Sequence, residues 1–243
     1  MAALVDLIAV ALLNVYAVVL IVLRARLYGA RLYRPMLVNV ALSFVPVVGA
    51  LAAVAGLLFL APALTALADL LQGVVPVILW GYLTLATLLW LLFFPNAIYL
   101  ITELNFSHRG ADDRVPLWFD IIQTLTLTLS GIMNAIASLL IVQSEFIVLI
   151  ADPTGHGSGA PVFSWVFAGA VIVLGALGVY LGRYLRFNSW DVRHPASLVR
   201  KLAGHLREPG RALELGGFVL THALLVALVY VPVFTLFYRA LFE

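Results

Sequence analysis

The sequence predicts an all-α fold: a polytopic transmembrane helix bundle of six spans, with one or two further helices at the membrane surface. Three observations predict it. Of the 243 residues, 64% are hydrophobic and only 11% are charged, where a soluble domain carries about 25% charged residues. Apolar runs of about 20 residues, the length that crosses a bilayer as a helix, recur along the chain. The basic residues are confined to alternate loops. The composition excludes a soluble globular domain, and one integral-membrane domain is expected over residues 1–243.

In lipid the backbone must satisfy its own hydrogen bonds, so each apolar run reads as a helix. The first covers about Leu4–Leu23. It has Asp6 where a cleavable signal would have a basic segment, and it reads as a retained span. The second covers about Met36–Leu60, the third Val74–Phe94 and the fourth Phe119–Val142. The fifth covers about Val162–Gly182 and the sixth Leu215–Phe237. Two shorter pieces read as surface helices. In Leu60–Gln72, the stripe Leu60, Leu64, Leu67 and Leu71 lies opposite Thr65, Asp69 and Gln72. In Ala196–Arg207, Leu198, Leu202 and Leu206 make a stripe flanked by Arg200, Lys201 and Arg207, and Pro209-Gly210 ends it.

Charge sets the expected orientation. Arg24, Arg26, Arg31 and Arg34 fall in the first loop, and Arg109 and Arg114 in the third. Arg183, Arg186, Arg193, Arg200, Lys201, Arg207 and Arg211 fall in the fifth. The second and fourth loops have no Lys or Arg, and of the 14 basic residues only Arg239 lies on their side. The positive-inside rule then makes loops one, three and five cytoplasmic and both termini external. An odd number of spans would break this alternation. The basic balance, net +2 with a pI near 9.0, is thus accounted for by topology. Nucleic acid is not expected as a partner.

Small residues predict where helices meet. Gly175, Gly178 and Gly182 share a face of the fifth helix. Thr124, Thr128, Gly131, Ala135 and Ser138 form a small, weakly polar seam on the fourth. Both read as packing within the bundle, and the sequence is also compatible with an oligomer. Asn14, Asn39, Ser43, Asn134 and His222 lie within spans and read mainly as interhelical hydrogen-bonding groups, while Gln143 and Glu145 mark the external end of the fourth helix.

The densest polar chemistry lies in the cytoplasmic loops. Pro95 is expected to break or kink the third helix. If the helix continues, Asn96, Tyr99 and Glu103 at i, i+3, i+7 share one face, and His108 follows. Asp120, in PLWFD (116–120), sits at a helix start where the dipole favours an acid. After the fifth helix comes RYLRFNSWDVRHP (183–195), with Arg183, Arg186, Asn188, Ser189, Trp190, Asp191 and His194. Asp191 and His194 have metal-ligand spacing on a helix, but Pro195 disfavours helix at His194, so no metal site is assigned. The candidate catalytic residues are therefore Glu103, Asp120, Asp191 and His108. The candidate ligand-binding residues are Asn96, Tyr99, Arg183, Arg186, Asn188 and Trp190. Brought together, such groups could bind a lipid headgroup or another phosphate-like ligand, or move protons. They could equally form a charge-paired lock between helices.

Three motifs carry a resemblance. Pro95, Asn96, Ala97 and Tyr99 make the first; Pro116, Leu117, Trp118 and Asp120 the second; Arg186, Asn188, Ser189, Trp190 and Asp191 the third. In this order and spacing, from about residue 75 onward, the chain resembles a family of uncharacterised bacterial integral membrane proteins of unknown function. Glu103 stands where that pattern more often has Asp. The resemblance implies a multi-pass protein of a bacterial inner membrane and supplies no activity, substrate or cofactor. Three functional classes stay open: an enzyme or binder acting on headgroups, a carrier using Asn39, Asn134 and His222, and a non-catalytic scaffold or subunit. With no cysteine, thiol chemistry is excluded. The motifs HExxH and GxSxG are absent as well.

Overall fold

A computed structural model of the chain describes residues 2–67, 70, 73–105, 114–152, 159–185 and 195–242. Seven α-helices and no strand occur among them. They are α1 (Ala2–Tyr28), α2 (Arg34–Ala66), α3 (Val74–Tyr99), α4 (Leu117–Phe146), α5 (Val162–Tyr184), α6 (Pro195–Leu206) and α7 (Arg211–Phe242). A 3₁₀ segment (Leu100–Asn105) extends α3, and a π-turn (Ile147–Ala151) extends α4. All but α6 are long and apolar enough to cross a membrane, giving the six expected spans.

Several ends differ from expectation. The first helix runs past Leu23 to Tyr28, because nothing breaks it before Gly29 takes up positive φ. This brings Arg24 into the helix. The second helix does not stop at Leu60. It continues through Pro62 to Ala66, so Leu60–Ala66 is the end of a span and not a separate surface helix. Thirty-three residues of helix are about 50 Å long, well beyond a hydrocarbon core of about 30 Å. Asp69, Gln72 and Leu71 lie outside the described residues. Pro95 does not end the third helix either, since α-helix persists to Tyr99. Spanning helices tolerate proline where neighbours and local 3₁₀ turns re-satisfy the backbone, and 3₁₀ geometry follows at Leu100. The Ala196–Arg207 piece is a helix as expected, α6.

The chain divides into two compact units, Met1–Glu145 and Phe146–Glu243. In the first, α1 runs antiparallel to α2 and to α4. Arg24 meets Asp120 while Asn14 meets Asn134, and Ala17 and Ile21 pack with Met36 and Val40 while Val10 packs with Val47. The helix α3 runs antiparallel to α2, with Tyr82 against Ala53 and the 3₁₀ segment against Asn39. Among the spans α4 is the least apolar and the most buried. The relation is physical: a helix shielded from lipid can carry threonines, serines and amides that a lipid-facing helix cannot. Its buried seam includes Thr124, Thr128, Gly131, Ala135 and Ser138, as expected from sequence. Gly131 is required there, because a Cβ would lie 2.5 Å from the Ala97 carbonyl oxygen.

In the second unit α5 packs along α7, and α6 packs against α7. Gly175 and Ala176 are buried on α5. Trp165 sets its ring edge-on to Phe234, and Phe218 does the same to Tyr180 and Tyr184.

Candidate functional site

Stacked layers fill the first unit. At the end where α1 gives way to α2, Leu20, Val115 and Phe119 are buried with Leu23, Tyr28 and Ala30 against them. Next come Ala17, Ile21, Met36, Val40, Leu100 and Leu127. A polar layer of Asn14, Ser43 and Asn134 follows, and then Val10, Val47 and Ala137.

The first layer contains an ion pair. Arg24 Nε donates to Asp120 Oδ1 at 2.9 Å, with the side chains 5% and 0% exposed. Asp120 is therefore more than a helix-start acid. It is held by a guanidinium from α1, which the longer first helix carries to it. Removing one partner of such a pair costs about 3–5 kcal/mol, because the other charge is left buried and uncompensated. Thr124 Oγ1 donates to the Asp120 carbonyl at 2.8 Å.

Glu103 has a different partner. Asn39 Nδ2 donates to its Oε1 at 2.8 Å, and the glutamate is only 6% exposed. Asn96 and Tyr99 are half-buried. The helix type changes at Leu100. A 3₁₀ turn advances about 120° per residue where an α-turn advances about 100°, so Glu103 is swung toward α2. Thr102 Oγ1 donates to the Tyr99 carbonyl at 2.8 Å and helps close the junction. One turn before Asn39 on α2, Met36 Sδ accepts from Gln123 Nε2 at 3.3 Å. Gln123 is 1% exposed, and its Oε1 has no hydrogen-bond partner.

The deep amide layer is closed. Asn14 Nδ2 donates to Asn134 Oδ1 and to the Val10 carbonyl, both at 2.8 Å. Asn134 Nδ2 donates to Asn14 Oδ1 and to Ser43 Oγ, both at 2.9 Å, and Ser43 donates to the Val40 carbonyl at 2.8 Å. Every donor hydrogen of the three side chains is used, between apolar layers on either side. This arrangement ties α1, α2 and α4 together and leaves no donor for a passing solute.

In the second unit Tyr180 Oη and His205 Nε2 lie 2.8 Å apart, which pins α6 to α5. Arg211 bridges Glu208 and Glu214 at 3.0 and 2.8 Å. His222 stacks on Phe218, and its Nδ1 lies 2.9 Å from that residue's carbonyl oxygen, within its own helix. Arg183 is half-buried near the end of α5. His108, Arg186, Asn188, Ser189, Trp190, Asp191 and His194 lie outside the described residues. No group of three or more potential metal ligands occurs among the described residues.

Of the expected site residues, the structure buries Glu103 and Asp120 at one end of the first unit but gives them different partners. Arg24 and Gln123 were not foreseen. A signal existed for both: Asn14, Ala17, Ile21 and Arg24 follow i, i+3, i+7, i+10, and Asp120, Gln123, Leu127 and Asn134 extend the α4 seam.

Residues 39–231 match the protein family described as "Protein of unknown function (DUF1361)". The chain belongs to this family. The match begins at Asn39, so Glu103, Asp120, Gln123 and Asn134 fall inside it, whereas Asn14 and Arg24 on α1 precede it. Neither a curated protein nor a solved structure matches the chain. Membership names no activity; the six long apolar helices are what mark a multi-pass membrane protein.

Proposed function

We propose that this is a multi-pass protein of a bacterial inner membrane whose arginine-rich face binds phosphate-bearing headgroups of anionic lipids without catalysing a reaction. Loops one, three and five then face the cytoplasm and both termini face outward. The positive-inside distribution supports the orientation, and the three motifs support the bacterial setting. One observation carries the binding reading, the character of α6. It lies in the chain between two spans, α5 and α7, and is pinned through His205 to Tyr180. Arg200, Lys201 and Arg207 are exposed, while Leu202 and Leu206 are half-buried. Val199, 62% exposed, offers an apolar contact to acyl chains beside those charges. A basic amphipathic helix of this kind suits an anionic leaflet, with about 1 kcal/mol of attraction per Lys or Arg near the surface.

The state of the acids favours binding over catalysis. Asp120 is committed to Arg24, and Glu103 is turned into the bundle toward Asn39. The carrier reading loses its motive at Asn134, whose amide is already engaged with Asn14 and Ser43.

The test is lipid retention. Full-length protein in mild detergent is titrated with phosphatidylglycerol or phosphatidylcholine, and bound lipid is read by native mass spectrometry. Phosphatidylglycerol should bind preferentially. The variant Arg200→Gln/Lys201→Gln/Arg207→Gln should lose about fivefold in affinity per charge removed. Equal binding of the two lipids, or an unchanged triple variant, overturns the reading.

A further inference from the structure

The hairpin of α2 and α3 reaches further than the helices packed beside it in the first unit. Val10, Val47 and Ala137 share one layer. Beyond that layer, toward loop two, α1 carries the exposed Asp6 and α4 carries Glu145. A charged side chain at lipid depth is costly, so these acids mark the edge of the hydrocarbon. The height of Glu145 corresponds to about Ala55 on α2, at the same 1.5 Å rise per residue from the shared layer. Tyr82 of α3 meets α2 there and donates to the Ala53 carbonyl at 2.8 Å. From Ala55 to Ala66 the α2 helix runs on for about 16 Å. The headgroup zone of one leaflet takes up only about 5–8 Å of that.

This tip is apolar and uncovered. Residues 54–67 and 73–81 contain no Asp, Glu, Lys or Arg. Among the described residues of the tip only Leu64 is buried. Leu58, Phe59, Leu67, Leu70, Val74 and Val77 are exposed, Phe59 to 81%. With large side chains of about 150–250 Å² each, these six leave on the order of 800 Å² of apolar surface open. Protein surfaces facing water rarely expose apolar patches above about 300–600 Å², whereas a specific interface buries about 800 Å² per partner. On α2 the exposed stripe Ala55, Phe59, Pro62 and Ala66 sets one large ring among small residues. On α3, Gly81 has open space where a Cβ would lie.

We propose that the α2–α3 tips of two copies of this chain pack on each other, outside the hydrocarbon, as a four-helix bundle about a two-fold axis. Lipid tails do not reach this surface, and its lack of charge suits an equally apolar partner. A second copy is such a partner, since a two-fold dimer brings the same patch against itself. The patch holds both halves of a contact. The Phe59 ring is a knob, and the opening at Gly81 is a hole for the ring of the other copy. Two helices cannot enclose their outward apolar stripes alone, whereas four can. The area left open is that of a stable interface. The inference depends neither on lipid binding by α6 nor on which side of the membrane loop two faces.

The chain has no cysteine, so Phe59→Cys supplies the sole thiol of the full-length protein. The experiment treats native membranes with a short bismaleimide, with Leu228→Cys, exposed midway along α7, as the control. Phe59→Cys should give a covalent dimer and Leu228→Cys only monomer. In mild detergent, native mass spectrometry should find the wild type as a dimer. Phe59→Asp/Val77→Asp should dimerise at least about tenfold more weakly, with its helicity by circular dichroism unchanged. Cross-linking of Phe59→Cys no greater than that of Leu228→Cys overturns the proposal, whether or not the double variant folds. So does a folded double variant that dimerises as the wild type does. Quenching of a bimane on Phe59→Cys by lipids brominated along their acyl chains also overturns it, because the bilayer would then cover the tip.

Discussion

At the residue scale, buried polar side chains tie α1, α2 and α4 of the first unit together. The Arg24–Asp120 pair makes the sharpest claim. Arg24→Met should destabilise the protein by about 3–5 kcal/mol, because it removes a charged partner from a buried carboxylate. Arg24→Met/Asp120→Leu should recover part of that loss, because apolar groups then replace both buried charges. Denaturation by a strong detergent, followed by circular dichroism, measures both. A single-variant loss under about 1 kcal/mol would place the pair among solvated surface bridges. The sequence predicts Asp120 and Arg24 on one side of the membrane but does not pair them. That pairing depends on where α1 ends, and the apolar run alone stops at Leu23, one residue short. Glu103 is legible as a candidate acid of the polar cluster, yet its burial and its partner are not. A 3₁₀ segment leaves little mark in a run such as Leu100–Asn105, and it is this segment that turns the carboxylate toward Asn39.

At the element scale, helix spacing is set by which residues lack side chains. Gly131 lets α4 approach the backbone at Ala97, where a Cβ would also lie 2.8 Å from Leu100 Cβ. A carbonyl in a packed helix cannot move aside, so Gly131→Ala should cost about 1–3 kcal/mol. Gly204→Ala is the matched control. It lies within α6 with open space around its Cβ, and should stabilise by about 0.5–1 kcal/mol through helix propensity. Thermal unfolding of the two single variants should shift in opposite directions, and shifts of the same sign would contradict this account of the α3–α4 approach. The six spans were legible because about 20 apolar residues have one solution in lipid. Their ends were less so. Pro62 and Pro95 read as stops in a soluble helix, whereas α2 and α3 run through them. The surface helix α6 was legible because its leucine spacing and basic residues agree.

At the scale of the whole molecule, the proposed binding role needs loop five to face the anionic cytoplasmic leaflet. It also needs the span count to place loop two on the opposite side. The chain contains no cysteine, so a single introduced thiol reports one position without background. Leu70, 84% exposed between α2 and α3, marks loop two, and Gly204 on α6 marks loop five. The deciding measurement is labelling of Leu70→Cys and Gly204→Cys with a membrane-impermeant maleimide, in spheroplasts and in inside-out vesicles. Leu70→Cys should label in spheroplasts and Gly204→Cys only in inside-out vesicles. Labelling of Gly204→Cys from the outside, or of both thiols from the same side, would contradict the six-span orientation and the headgroup-binding role built on it.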